Sequence, residues 1–190
     1  LHLLAKISDN HNRNPNFFSK IEKILDFFKC EIKSLFSNHE IFNIFKSNKR
    51  LLLYFIRENI IIFDEYMLKL ILTDKYNRKD YFNYFLPEIK YFIQSKKASI
   101  LLNDMQRKLL LKKLPNNFEV NRKIGENDNY ICQLIRNDSL DNFINYINQN
   151  CISLNSKIEK SIYETNSFLL KKEPSLIDYA AFFGSIQILK

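Results

Sequence analysis

Glycine and proline are nearly missing: two glycines and four prolines stand in a chain of 190 residues. A sheet-rich protein uses many of both at its tight turns, so the shortage favours helices. Gly125 and Gly184 are the only glycines, which excludes a glycine-rich phosphate loop and a dinucleotide fingerprint. The cysteines, Cys30, Cys132 and Cys151, are odd in number and show no CxxC spacing. That speaks against a zinc ribbon or a disulfide framework, and for a reducing, intracellular and cytoplasmic setting. The histidines, His2, His11 and His39, have neither HExxH nor paired spacing, so no metal site and no cofactor is expected. Long apolar runs are lacking too. The most apolar stretch, 51–63, is interrupted by Arg57, Glu58 and Asn59, well short of the roughly 20 residues of a membrane span. No nucleophile sits in a recognisable catalytic pattern. The chain reads as non-enzymatic, with no catalytic, cofactor-binding or metal-ligating residue to nominate.

What is present is an apolar fraction of 46%, enough for a folded core, and a net charge of +8. Lysine outnumbers arginine 22 to 7 and asparagine reaches 23. Lys, Asn, Ile, Phe and Tyr all have A/T-rich codons, so a biased genome would enrich them together. The charge therefore reads first as lysine on solvated faces. A basic nucleic-acid-binding helical domain is the alternative.

Periodicity predicts helices through the first two thirds. Residues 10–16, with Pro15, read as a loop. Phe17, Phe18, Ile21, Ile24, Leu25 and Phe28 then form one stripe at three- and four-residue steps. Ser19 and Glu22 have the spacing of a capping box, which would start that helix later. A second stripe, Ile32, Leu35 and Phe36, then Ile41, Phe42 and Phe45, is expected to break at Ser37-Asn38 and to end at Ser47-Asn48. Residues 51–56 and 63–72 read as an antiparallel helical hairpin, the second buried through Tyr66, Met67, Leu70 and Ile71. Residues 74–80 are a charged loop. Pro87 divides the following pattern into a short helix ending near Phe85 and another starting at Pro87. Residues 100–111 form one more helix. Residues 114–125 lack a clear period and read as the joint between two regions, 1–122 and 123–190.

The C-terminal end is the most legible part. Ser175 follows Pro174 and can cap a helix, with Asp178 at the reciprocal position of a capping box. Ala180 and Ala181 are small helix formers, and Gly184 suits a left-handed turn. Ser185 is expected to cap a last helix bearing Ile186, Ile188 and Leu189. A weaker copy lies 46 residues earlier. Ile131, Leu134 and Ile135 match Ile177, Ala180 and Ala181, and Asp138-Ser139 matches Gly184-Ser185. Leu140 and Phe143 match Ile186 and Leu189. In this copy Ser139 is expected to cap a helix with Leu140, Phe143, Ile144 and Ile147 on one face.

Ser175-Leu-Ile-Asp-Tyr-Ala-Ala181 resembles the Thr-Pro-Leu-His-x-Ala-Ala of ankyrin repeats, and Gly184-Ser-Ile-Gln-Ile-Leu189 their Gly-His-x-x-Ile-Val. Leu176, Asp178 and Ser185 depart from the pattern. Such repeats take about 33 residues, so a spacing of 46 implies an insertion, which the aperiodic residues 152–165 would supply. Residues 41–50, 123–139 and 161–170, with this ending, are similar to a large family of divergent ankyrin-like proteins of unicellular eukaryotes. The resemblance implies an all-α chain, a helical leader followed by an ankyrin-like helix-turn-helix solenoid. It further implies an interaction scaffold for a protein partner and brings no assigned chemistry. With no initiating Met and an incomplete second repeat, the chain is expected to be a piece of a longer one.

Overall fold

The computed structural model describes residues 1–10, 17–73, 78–96, 104–111 and 113–190. Over these the chain is mostly helical, without a named strand, as the shortage of glycine and proline predicts. The N-terminal helices are α1 (His2–Asn10), α2 (Phe17–Phe27), α3 (Lys29–Leu35), α4 (Asn38–Phe45), α5 (Lys49–Arg57) and α6 (Glu65–Thr73). Then come α7 (Arg78–Tyr84), α8 (Leu86–Lys96), α9 (Asp104–Leu111) and α10 (Phe118–Ile124). The remainder holds α11 (Tyr130–Arg136), α12 (Leu140–Gln149), α13 (Ser167–Lys172), α14 (Leu176–Phe183) and α15 (Ile186–Leu189). No described helix is long and apolar enough to cross a membrane.

Local chemistry sets the breaks. α2 already contains Phe17 and Phe18, so the Ser19/Glu22 spacing falls inside the helix and does not begin it. The break before α4 lies where Ser37-Asn38 predicts, and Ser37 forms a full capping box there. Its hydroxyl accepts from Glu40 N, and Glu40 returns a carboxylate oxygen to Ser37 N at 2.7 Å. Asn48 begins α5, its side chain accepting from Leu51 N at 3.1 Å. At Pro87, the second residue of α8, no amide is missed, because a helix's first N–H groups have no intrahelical partner. Most of the loops expected over 10–16 and 74–80, together with His11 and residues 100–103, lie outside the described residues.

α5 is the hub of the N-terminal region. Leu51, Leu52, Leu53 and Phe55 are all buried, and both α4 and α10 pack on it. Each such side chain contributes about 1.5–3 kcal/mol of burial. The expected α5–α6 hairpin is not the close pairing. α6 packs on α4 and α7, because the loop before it is fastened to the start of α4. Asn38 accepts from Ile62 N at 2.8 Å and donates to Ile62 O at 2.6 Å, while His39 lies 2.9 Å from the Asp64 carboxylate. This rotates α6, so Met67, Leu68 and Ile71 are buried and Tyr66 lies at the surface.

The expected joint, 114–125, contains a helix. α10 buries Phe118 and Arg122, one turn apart, and ends on Gly125 in the left-handed region at φ 73°. Its apolar period is hidden because one of the buried positions is an arginine. Among the described residues two apolar clusters result, one running from Ala5 to Phe92 and the other from Cys132 to Ala180. Between α12 and α13 the chain is irregular, apart from an isolated antiparallel bridge pairing Lys157 with Ser175.

Candidate functional site

Two helix hairpins, α11–α12 and α14–α15, end their first helix in the same way. Ser139 N donates to Leu134 O and Asp138 N to Ile135 O, both at 3.0 Å. Ser185 N donates to Ala180 O at 3.0 Å and Gly184 N to Ala181 O at 3.2 Å. These are the same four positions moved by 46 residues, in the pattern that closes a helix through a left-handed residue. Asp138 supplies that residue in the first hairpin, at φ 51°, and Gly184 in the second, at φ 69°.

The hairpins also pack on each other, α11 against α14 and α12 against α15. Cys132, Ile135, Tyr179 and Ala180 are fully buried between them. Ser175 and Asp178 make the expected capping box, with Ser175 N donating to the carboxylate at 3.0 Å. Those bonds from the Ser175 hydroxyl and amide hold the Asp178 carboxyl below its usual range. The caps expected from Ser139 and Ser185 are not made. Ser185 is turned away from its own helix and donates to Ile135 O at 2.6 Å, joining the two hairpins. The amides at the start of α15 go instead to Asp138, whose carboxylate accepts from Gln187 N at 3.0 Å and Ile188 N at 3.1 Å. Arg136 adds a bond of 2.8 Å to the Tyr179 hydroxyl. Ile177, Ile186 and Leu189 stay largely exposed.

A polar seam joins these hairpins to α5 and α10. Lys49 is 1% exposed; its ammonium donates to Ile162 O at 3.2 Å and lies 5.1 Å from the Tyr84 ring centre. Arg50 donates to Ile124 O at 2.8 Å with its guanidinium over the Phe18 ring. Arg122 is equally hidden and holds Glu88 at 2.6 Å and Glu119 at 2.9 Å. Burial opposes its charge, but the two carboxylates outweigh that and keep its pKa above the ordinary value. The Tyr84 hydroxyl closes the group by donating to Arg122 O at 2.7 Å.

The seam continues through two loops. Thr165 donates to Gly125 O through both its amide, at 3.1 Å, and its hydroxyl, at 2.8 Å. Asn127 donates its side-chain amide to Glu159 O at 2.8 Å. Glu164, 5% exposed, accepts from Asn166 N at 2.8 Å and Asn127 N at 3.3 Å. Burial pushes its carboxyl up to about 7, against those two amides and the nearby charges of Lys49 and Arg136. Nothing in the sequence singled out Lys49, Arg122 or Glu164. The available signal was weak: Arg122 stands four residues after Phe118, and Glu164 lies in a stretch, 161–170, with no other charge.

The residues weighed for chemistry are scattered. Burial pushes the Cys132 thiol up to about 12, which leaves it unreactive at neutral pH, while Cys30 and Cys151 are exposed and free. His39 stacks on Tyr66 at 4.0 Å beside Asp64. Among the described residues no three His, Cys, Asp or Glu side chains gather as a metal site would require. A cleft of about 430 Å³ beside the seam mixes Lys23, Arg50, Arg57 and Lys123 with Glu22, Asp26 and Glu58, so its lining carries both signs of charge.

No protein-family model, no curated protein and no solved structure matches the chain.

Proposed function

We propose that the chain is a non-catalytic protein–protein interaction scaffold, in which a helical leader (1–122) precedes ankyrin-like repeats (123–190). The observation that carries this reading is the turn shared by α11–α12 and α14–α15 at a spacing of 46 residues, with the two hairpins packed like on like. Stacked two-helix units build extended surfaces whose exposed side chains select a partner. The exposed Ile177 and Ile186 are the side chains offered for that contact. The free thiols of Cys30 and Cys151 suit a cytoplasmic setting.

The test is affinity capture with the protein and with an Ile177→Lys/Ile186→Asp variant, followed by binding of each purified candidate. The reading expects a protein that binds directly and is lost on the double substitution. Absence of any direct protein partner across replicate captures overturns it. The net charge of +8 supports a second reading, nucleic-acid binding. Titration of DNA and RNA at two salt concentrations separates the two, since phosphate-driven affinity falls steeply with salt.

A further inference from the structure

The apolar stripe that begins at Phe17 is wider than the core uses. α2 and α3 run on almost without interruption, since Phe28 N donates to Ile24 O at 3.1 Å and Ile32 N to Phe28 O at 2.9 Å. Together they make a helix roughly 28 Å long. Ile21, Leu25 and Ile32 bury one face of it. A second row, Ile24, Phe27, Phe28, Glu31 and Leu35, has the spacing of neighbours on one helix face and stays in solvent. Phe27 is 79% and Leu35 73% exposed, and the Phe27 and Phe28 rings meet edge to face at 4.9 Å. Apolar rows left open in this way mark interaction surfaces.

Charge decides what covers the row. Exposed Lys20 and Lys23 lie along its first half, and exposed Glu31 stands in its second. Among the described residues no ion pair uses any of the three. Turned end for end about Phe27 and Phe28, the row meets its own complement, with Glu31 of one copy against Ile24 of the other and beside its two lysines. A parallel pairing would set Glu31 against Glu31. An anionic lipid surface would be repelled by the same carboxylate. We propose that the chain forms a twofold dimer in which the Ile24–Leu35 face of α2–α3 packs antiparallel on the same face of a second copy. Each Phe27 packs on Phe28 of the other copy, each Glu31 takes its lysines, and the Lys20 stem covers Leu35. One helix face per copy is at the small end of specific interfaces, which bury about 800 Å² per partner, so micromolar dissociation is expected. The contact uses neither hairpin and stands whatever the hairpins bind.

Analytical ultracentrifugation from micromolar to submillimolar protein, at low salt, tests this. A monomer–dimer equilibrium is expected, weakened at least about 30-fold by Phe27→Glu. Glu31→Lys alone, and Lys20→Glu with Lys23→Glu, should each weaken it by setting like charges together. An equal mixture of these two variants should associate again, because every lysine then faces a carboxylate. All four positions are exposed, and circular dichroism checks that the helices are kept. A monomer at every concentration overturns the proposal, as does binding of phosphatidylserine vesicles in place of self-association. A dimer that survives Phe27→Glu, or a mixture no better than its components, overturns it equally.

Discussion

Asp138 caps a helix that begins almost fifty residues later: its carboxylate takes the amide of Gln187 at 3.0 Å. The same residue turns the chain out of α11 in a left-handed conformation. One residue thus ends the first helix of the first hairpin through its backbone and starts the second helix of the second through its side chain. Asp138→Ala removes the cap and places a Cβ-bearing residue without a polar side chain at positive φ. The expected cost is about 2–3 kcal/mol, read from urea unfolding. Asp138→Gly keeps the turn and loses only the cap, so it should cost less, with faster hydrogen exchange confined to Gln187 and Ile188. Equal losses for the two variants would disprove the double role.

Gly125 is irreplaceable for two separate reasons. Its φ is +73°, and an added Cβ would lie 3.1 Å from the Arg50 side chain and 3.2 Å from Thr165. Gly125→Ala should therefore destabilise by about 2 kcal/mol or more. Gly184 shares the backbone strain, at φ +69°, but has nothing within 4 Å of the new atom. Gly184→Ala should cost only about 1–2 kcal/mol. Thermal melts of the two variants give the order.

Arg122 is a buried cation with two carboxylates, and removing one partner of such a group strands the rest. Arg122→Ala is expected to lose about 3–5 kcal/mol in denaturant unfolding. Replacing the side chain by Met and Glu88 by Gln together should recover part of that loss, because the exposed Glu119 can turn to solvent. A double variant as unstable as Arg122→Ala would place the cost in packing instead.

Global stability should also respond to Glu164. The folded state keeps its proton up to about pH 7, whereas an unfolded carboxyl releases it near 4.5. Its contribution is complete below the unfolded value and is lost as pH rises through the folded one. Between these limits the protein should lose about 2–3 kcal/mol, an order-of-magnitude figure. Urea midpoints measured across that window check the slope, and Glu164→Gln should flatten it. Asp64, Asp178, Glu40 and Glu173 have lowered values and act in the opposite sense, at more acid pH.

The sequence revealed what short-range chemistry decides. Ser175 with Asp178, the break at Ser37-Asn38, the division at Pro87 and the match of Asp138 to Gly184 all involve residues within a turn of each other or a plain repeat. It misled wherever a side chain works at long range. Ser139 and Ser185 look like caps, yet neither caps its own helix, and α15 is capped by Asp138 on the other hairpin. α10 went unread because burial of Arg122 depends on Glu88, more than thirty residues away, to balance the charge. The polar seam has no sequence pattern, since Lys49, Arg122 and Glu164 are drawn together only by the packing of α5, α10 and the 159–166 loop.

The bond from Lys49 to Ile162 O spans 113 residues of chain. Closing so large a loop carries an entropic cost that short-range turns avoid, so this link is expected to form after the helices at either end. Lys49→Met should then leave the refolding rate nearly unchanged and accelerate unfolding, a pattern visible in a stopped-flow chevron. The two halves of the chain would gain their helices independently and dock last, making the buried lysine a seal on a nearly finished fold.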